Sequence, residues 1–199
     1  MPPRRSGRRP AGLLLAPGAG AASDQPALVA VDEAVSALGT AVERMDFPYR
    51  LAGRRSPDRP EVLEAAVRER AEALAGRLGV GTGRLVLGGR SMGGRICSQV
   101  VAAGLPAAGL VLISYPLHPP GRPERLRTAH LPALTVPCLF LSGTRDAFGT
   151  PEELTAATSA IPGPVTHVWV EGGDHGLRRR DDQVAAAVAE WMSALEPAG

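Results

Sequence analysis

Short apolar runs alternate along the chain with longer stretches whose apolar residues recur every three or four positions. The runs Gly12 to Ala16, Ala41 to Asp46, Arg84 to Leu87, Gly109 to Ile113, Pro137 to Leu141 and Val165 to Val170 are mostly unbroken in Val, Leu, Ile and Ala. That is the pattern of strands buried on both faces. Between them the periodicity becomes helical. Pro26 to Leu38 is a predicted helix opened near Asp24 and stopped by Gly39, and Asp58 with Pro60 opens a second one that ends before Gly79. In that second helix Val62, Leu63, Ala66, Val67, Ala71 and Leu74 share one face. Further helices are expected from Ser91 to about Ala103, from a capping box in Thr150-Pro151-Glu152-Glu153 to about Ile161, and from Asp182 to Leu195. The last of these is expected to bury Val184, Ala187, Val188, Trp191 and Leu195.

Strand–helix alternation of this kind predicts an α/β architecture: a mainly parallel six-stranded sheet with helices on both faces. Ligands of such sheets gather beyond the C-terminal ends of the strands. Three strand-end loops therefore carry the interest: Pro17 to Ser23, Gly143 to Gly149 and Glu171 to Gly176. Between Ile113 and Pro137 the chain is Pro-rich but has no long helical insert, so no lid domain is expected. Residues 1–10 read as a basic, disordered tip, and 11–199 as a single domain.

The strand at Arg84 to Leu87 runs into Gly88-Gly89-Arg90-Ser91-Met92-Gly93-Gly94-Arg95, a Gly-x-Ser-x-Gly turn that opens a helix. A serine at such a turn projects its hydroxyl above the sheet edge, while the helix N-terminus offers free backbone N–H groups. In a Gly-rich chain the five letters alone are weak, because a structural Gly turn has the same spelling. Their strand–turn–helix context makes Ser91 the candidate nucleophile. Serine needs a base, and the base needs a carboxylate to fix its tautomer. His175 follows the last strand and Asp146 follows the strand ending at Leu141, giving the Ser, Asp, His order that this topology dictates. Asp174 is the rival acid, but a residue adjacent to the histidine rarely reaches its Nδ1. Two pre-placed donors for an oxyanion are expected at the amides of Met92 and Ala19, the latter in Ala16-Pro17-Gly18-Ala19-Gly20. His118 and His130 lie in the Pro-rich connection and His167 alternates outward on a strand; none has a partner by spacing.

Composition narrows the function classes. The 199 residues carry a net charge of +2 with their cations scattered, and aromatics make up 4%. Neither a basic patch nor a stacking platform for nucleic acid is present. Cys97 and Cys138 lack metal or redox spacing and read as buried reduced thiols, consistent with a cytoplasmic protein. Arg4, Arg5, Arg8 and Arg9 followed by Leu13-Leu14-Leu15 imitate a secretory leader, but Pro17 and Gly18 interrupt the apolar run too early. No stretch reaches the roughly 20 apolar residues of a membrane span.

The combination of stretches resembles a compact, lidless α/β-hydrolase of the dienelactone-hydrolase-like kind. It is closer still to a small bacterial hydrolase group whose domain also occurs in a testis-expressed protein and a histone-acetyltransferase-complex subunit. The stretches are Ala16 to Gly20, Met45 to Tyr49, Gly53 to Asp58, Gly88 to Arg95, Tyr115 to Gly121, Gly143 to Gly149 and Gly173 to His175. The resemblance implies the fold, a triad of Ser91, Asp146 and His175, and no cofactor or metal. Two positions depart from the pattern: such hydrolases usually carry His where Pro17 stands, and dienelactone hydrolases use Cys at the position of Ser91.

Two functions fit the sequence. One is a serine hydrolase acting on a small-molecule ester or related acyl compound; the other is an interaction protein that keeps the fold and does little chemistry. Nucleic-acid binding through the Arg-rich tip is a third, weaker one. For the hydrolase, the mouth over Ser91 is expected to be shallow, roofed by Tyr115 to His130 and the Asp46 to Pro57 loop. Arg54, Arg90 and Tyr115 are the expected substrate contacts. A guanidinium among Arg54, Arg55, Arg90 and Arg95 is placed to fork a substrate carboxylate, unless all four pair with surface acids such as Asp46 or Asp58. Oligomeric state leaves no mark in the sequence.

Overall fold

The computed structural model describes residues 9–195, so the basic tip lies outside the described residues apart from Arg9 and Pro10. Six strands form one parallel sheet: β1 (Gly12–Ala16), β2 (Ala41–Arg44), β3 (Leu85–Arg90), β4 (Gly109–Ile113), β5 (Cys138–Gly143) and β6 (Val165–Val170), in the order β2-β1-β3-β4-β5-β6. Among the described residues five α-helices lie between them in the chain, α1 (Pro26–Ser36), α2 (Pro48–Leu51), α3 (Pro60–Leu78), α4 (Met92–Ala102) and α5 (Pro151–Thr158), and α6 (Asp181–Ala194) follows β6.

The pleat sends alternate strand residues to two separate cores. Leu14, Leu87, Leu112 and Phe140 pack with α3, α4 and α5, whereas Leu13, Leu15, Val86, Val111 and Leu139 pack with α1 and α6. All of these strand residues are fully buried, which explains why the strands show no polar alternation in sequence. On α6 the buried stripe is Val184, Ala185, Val188 and Met192; the expected Ala187, Trp191 and Leu195 are only partly buried, at the margin of that core.

Element ends follow local chemistry. Gly79 closes α3 in the left-handed conformation at φ 65°, with the Val80 amide returning to the Ala75 carbonyl at 3.0 Å. The capping box at α5 forms as expected: Thr150 Oγ1 accepts from the Glu153 amide at 3.2 Å, and Glu153 accepts from the Thr150 amide at 2.9 Å. That helix stops at Thr158 rather than near Ile161, and the Thr158 hydroxyl folds back onto the Leu154 carbonyl at 2.8 Å. Strand β2 stops at Arg44, short of Asp46; the Met45 amide still donates to the Leu15 carbonyl at 2.9 Å, and the Asp46 carboxylate beyond it holds Ser23. Strands β3 and β5 run two or three residues past their apolar runs, since ladder pairing continues through Arg90–Ile113 and Gly143–Val170.

Sequence order and sheet order diverge at β1, which has β2 on one side and β3 on the other. The loops leaving β1 and β3 therefore part in opposite directions and open a crevice at their C-terminal ends. Ser91 stands on its rim.

Candidate active site

Strand β3 delivers the chain to Ser91, which caps α4 at φ 51° and ψ −117°. A non-glycine residue at positive φ is strained, and the surroundings hold it there. The Ser91 amide donates to the Ile113 carbonyl at 2.8 Å. On both sides the glycines of the motif press against β1: a Cβ on Gly89 or Gly93 would run into the Ala16 carbonyl, and one on Gly93 would also lie 2.6 Å from the Pro17 carbonyl. Close packing against β1 is thus the steric reason for the motif's spelling.

His175 comes from the loop after β6, with Nε2 2.9 Å from Ser91 Oγ. Its Nδ1 sits 3.0 and 2.9 Å from the two carboxylate oxygens of Asp146. With an acceptor on that side, Nδ1 carries the proton and Nε2 turns its lone pair toward the hydroxyl. Asp146 is only 3% exposed and also accepts from the Phe148 amide at 2.8 Å. The two loops are laced together: the Arg145 amide donates to the Gly173 carbonyl at 2.8 Å, and the Gly172 amide donates to Thr144 Oγ1 at 2.8 Å. The Phe148 ring stacks on the imidazole with centroids 3.9 Å apart. Arg90 donates through Nη2 to the His175 carbonyl at 2.7 Å. Asp174 is exposed, and the imidazole turns to Asp146 instead.

Around Ala19 the β1 loop is clamped from both sides. The Gly18 amide donates to Gln25 Oε1 at 3.1 Å, and the Gly20 amide donates to Tyr49 Oη at 3.0 Å. Ser23 further along is held by Asp46 through its amide and hydroxyl, at 2.7 and 2.9 Å. Ala19 and Met92, the first residue of α4, border the same cleft as Ser91. Gln25, Tyr49 and Asp46 are positioning residues that the sequence did not reveal; the stretch Met45 to Tyr49 was the only signal for the last two, and Gln25 had none. They fix the loop with Pro17 at the place where the resembling hydrolases carry His.

The cleft over Ser91 has a volume of about 400 Å³. It is bordered by Pro116 and Arg127 from the Pro-rich connection, but no residue of the Asp46 to Pro57 loop reaches it. Two expected substrate contacts are thereby corrected. Arg54 pairs with Asp58 at 2.7 Å, four residues on in the same loop, and does not line the cleft. Tyr115 is 2% exposed, and its hydroxyl donates to the Arg127 carbonyl at 2.7 Å inside the wall; burial pushes its phenol above the ordinary range. Arg90 does line the cleft. Burial lowers its pKa while the fields of Asp146, Asp181 and Asp174 act in the opposite direction. Arg95 lines it too, and so does Arg127, which sequence reasoning missed because its placement depends on how the connection folds back over α4.

Other polar groups have structural partners. His130 Nε2 meets Ser98 Oγ at 2.8 Å, and His118, itself buried, reaches Glu153 at 3.3 Å. His167 does not point simply outward: it bonds Thr158 Oγ1 at 3.0 Å and stacks on Trp169. Cys97 and Cys138 are buried free thiols, each pushed up to about 12 by desolvation. Among the described residues no three His, Cys, Asp or Glu side chains gather as a metal site, and no helix is long and apolar enough to cross a membrane.

Comparison with known proteins places this geometry in context. A pimeloyl-[acyl-carrier protein] methyl ester esterase from Stenotrophomonas maltophilia is 35% identical over 68 residues, which is 34% of this chain and 26% of that enzyme. This chain thus matches about a quarter of that curated relative's length. A lidless α/β serine hydrolase from Xanthomonas campestris superposes with a TM-score of 0.75 at 19% identity, covering 100% of this chain and 88% of that one. Dienelactone hydrolase from Anabaena variabilis gives 0.72 at 17% identity, over 93% of this chain and 87% of its own. At these identities the solved structures speak for the fold: a parallel-sheet α/β-hydrolase without a lid. The model of the alpha/beta hydrolase domain matches residues 9–197, and the chain belongs to that family.

Proposed function

We propose that the protein is a serine hydrolase that cleaves an ester or related acyl compound through an acyl-enzyme on Ser91. One observation carries this: Ser91 Oγ, both nitrogens of His175 and the buried Asp146 carboxylate lie in one chain of hydrogen bonds of 2.9 to 3.0 Å. In the first half-reaction Ser91 Oγ attacks the acyl carbon as its proton passes to His175 Nε2. Charge developing on the carbonyl oxygen is met by the Met92 and Ala19 amides. Collapse breaks the bond to the leaving alcohol, which takes the proton back from His175 Nε2. Water then attacks the acyl-Ser91 ester, giving its proton to the same nitrogen, and the acid leaves as Ser91 regains its hydrogen. Asp146 keeps Nδ1 protonated and stabilises the imidazolium formed in each half. Arg90 holds His175 by its backbone carbonyl, and Phe148 stacks on the face of its imidazole. The family and the esterase among its relatives support this chemistry, and the two buried reduced thiols support a cytoplasmic setting.

The test is labelling by a fluorophosphonate probe together with turnover of p-nitrophenyl esters. The protein is expected to label on Ser91 alone, and Ser91→Ala is expected to abolish labelling and lower turnover by several orders of magnitude with its melting curve unchanged. Absence of labelling in the native protein, or turnover retained by the variant, refutes the proposal.

A further inference from the structure

Three arginines, Arg90, Arg95 and Arg127, border the cleft over Ser91, and among the described residues no Asp or Glu borders it. Arg90 is already engaged with the His175 carbonyl. The other two have little to hold. Arg95, on the first turn of α4, donates from Nη1 to Gln99 Oε1 at 3.1 Å, while its Nε is buried without a partner. Arg127 donates from Nη1 to the Pro116 carbonyl at 3.2 Å. Its backbone is pinned on both sides, the amide to the Leu117 carbonyl at 2.8 Å and the carbonyl to Tyr115 Oη at 2.7 Å. The guanidinium is therefore presented from a fixed base. Each guanidinium has five N–H donors, so most of this donor capacity is unspent.

The electrostatics around the pair point one way. Among the described residues neither arginine forms an ion pair. Burial lowers Arg127 from its ordinary value; Arg95 and Arg125, of its own sign, push the same way, and only the Tyr115 phenol acts against them. His130, pushed down to about 4 by burial and Arg95, is neutral at pH 7 and adds no further positive charge. Two like charges held half-buried without a counter-ion are costly, and an anion placed between them removes the cost. A planar guanidinium fork matches a carboxylate.

We infer that Arg95 and Arg127 form a carboxylate-binding subsite of the Ser91 cleft, so that the substrates are half-esters of small dicarboxylic acids. The ester carbonyl lies at Ser91 and the free carboxylate on the arginine pair. The ester part of this assignment rests on the hydrolase proposal, whereas the anion subsite stands on the arginines alone. A cleft of about 400 Å³ is at the small end of ligand pockets, which suits such compounds.

The experiment is titration calorimetry of monomethyl glutarate into the Ser91→Ala protein, where nothing is turned over. The half-ester is expected to bind, its affinity to fall with added salt, and dimethyl glutarate to bind at least about tenfold more weakly. Arg95→Gln and Arg127→Gln are each expected to weaken the half-ester about tenfold or more, with Arg127→Lys in between because it keeps charge without the fork. In the Ser91 protein, the ratio of kcat/KM for p-nitrophenyl hemiglutarate to that for p-nitrophenyl valerate is expected to fall about tenfold on Arg127→Gln. Equal binding of diester and half-ester, or an affinity that neither glutamine variant alters, overturns the inference. Inorganic phosphate displacing the half-ester at lower concentration overturns the carboxylate assignment. Half-ester binding lost on Arg127→Gln in a protein whose Ser91 takes no fluorophosphonate upholds the subsite and refutes the hydrolase proposal; a labelled Ser91 with no half-ester binding does the reverse.

Discussion

Replacing Asp146 by Asn removes the charge behind His175 with almost no change in shape. In the native protein both carboxylate oxygens face Nδ1, at 3.0 and 2.9 Å, and Oδ1 also accepts from the Phe148 amide at 2.8 Å. The Asn amide has a single oxygen. If that oxygen stays with the Phe148 amide, the NH2 group points at Nδ1 and donates to it, so the imidazole must carry its proton on Nε2 and can no longer accept one from Ser91. If the amide turns over, the Phe148 N–H loses the acceptor that the buried Asp146 side chain, 3% exposed, supplied. The first arrangement is the cheaper, and a wrong tautomer in this kind of triad costs about 10⁴ in kcat, close to 5.5 kcal/mol at 1.36 kcal/mol per tenfold. The assay is steady-state hydrolysis of a short p-nitrophenyl ester, with thermal melts to show that folding is retained. Asp174→Asn, at an exposed site, is expected to stay within about threefold of the native rate. An Asp146→Asn protein within about tenfold of native, or an equal loss in Asp174→Asn, refutes the assignment of the acid.

The remaining predictions concern the cleft, the elbow and the outer wall. Because the cleft is small and has no lid, kcat/KM for neutral p-nitrophenyl esters is expected to be higher for acetyl and butyryl than for decanoyl chains; a steady rise to long chains refutes the open-site description. Gly93→Ala drives a Cβ into the Ala16 and Pro17 carbonyls, backbone that cannot step aside, so about 3 kcal/mol or more of stability and about 6–12 °C of Tm are expected to be lost in calorimetry. A variant that melts within about 2 °C of native shows that the elbow has slack. His130 gives a pH effect. Its folded value of about 4 lies below the ordinary 6.5, so its stabilising contribution is complete above pH 6.5 and is lost as pH falls toward 4, when the unfolded chain binds the proton first. His130→Gln is expected to flatten urea stability between those pH values by about 1–2 kcal/mol, allowing for partial solvent screening. An unchanged pH slope contradicts this account.

The sequence by itself determined the sheet, the candidate nucleophile and the order of its partners. Strands buried on both faces have to be apolar throughout, so β1, β3, β4 and β5 announced themselves as runs. The glycines around Ser91 had to be glycines because β1 leaves no room for a Cβ. Asp146 and His175 could be found because parallel topology places every useful loop at the same sheet edge. What tertiary structure decided are contacts between segments that nothing in the local chain relates. Arg54 found an acid four residues on in its own loop and Tyr115 went into the wall, since a cation or phenol near the cleft in sequence is free to turn elsewhere in space. Arg127 came into the cleft only through the fold of an irregular connection, where no periodicity sets the direction of a side chain. Gln25, Tyr49 and Asp46 hold the Ala19 loop across gaps of 7, 29 and 23 residues. Hydrogen-bond partners of that kind are fixed by geometry, and spacing along the chain carries no trace of them.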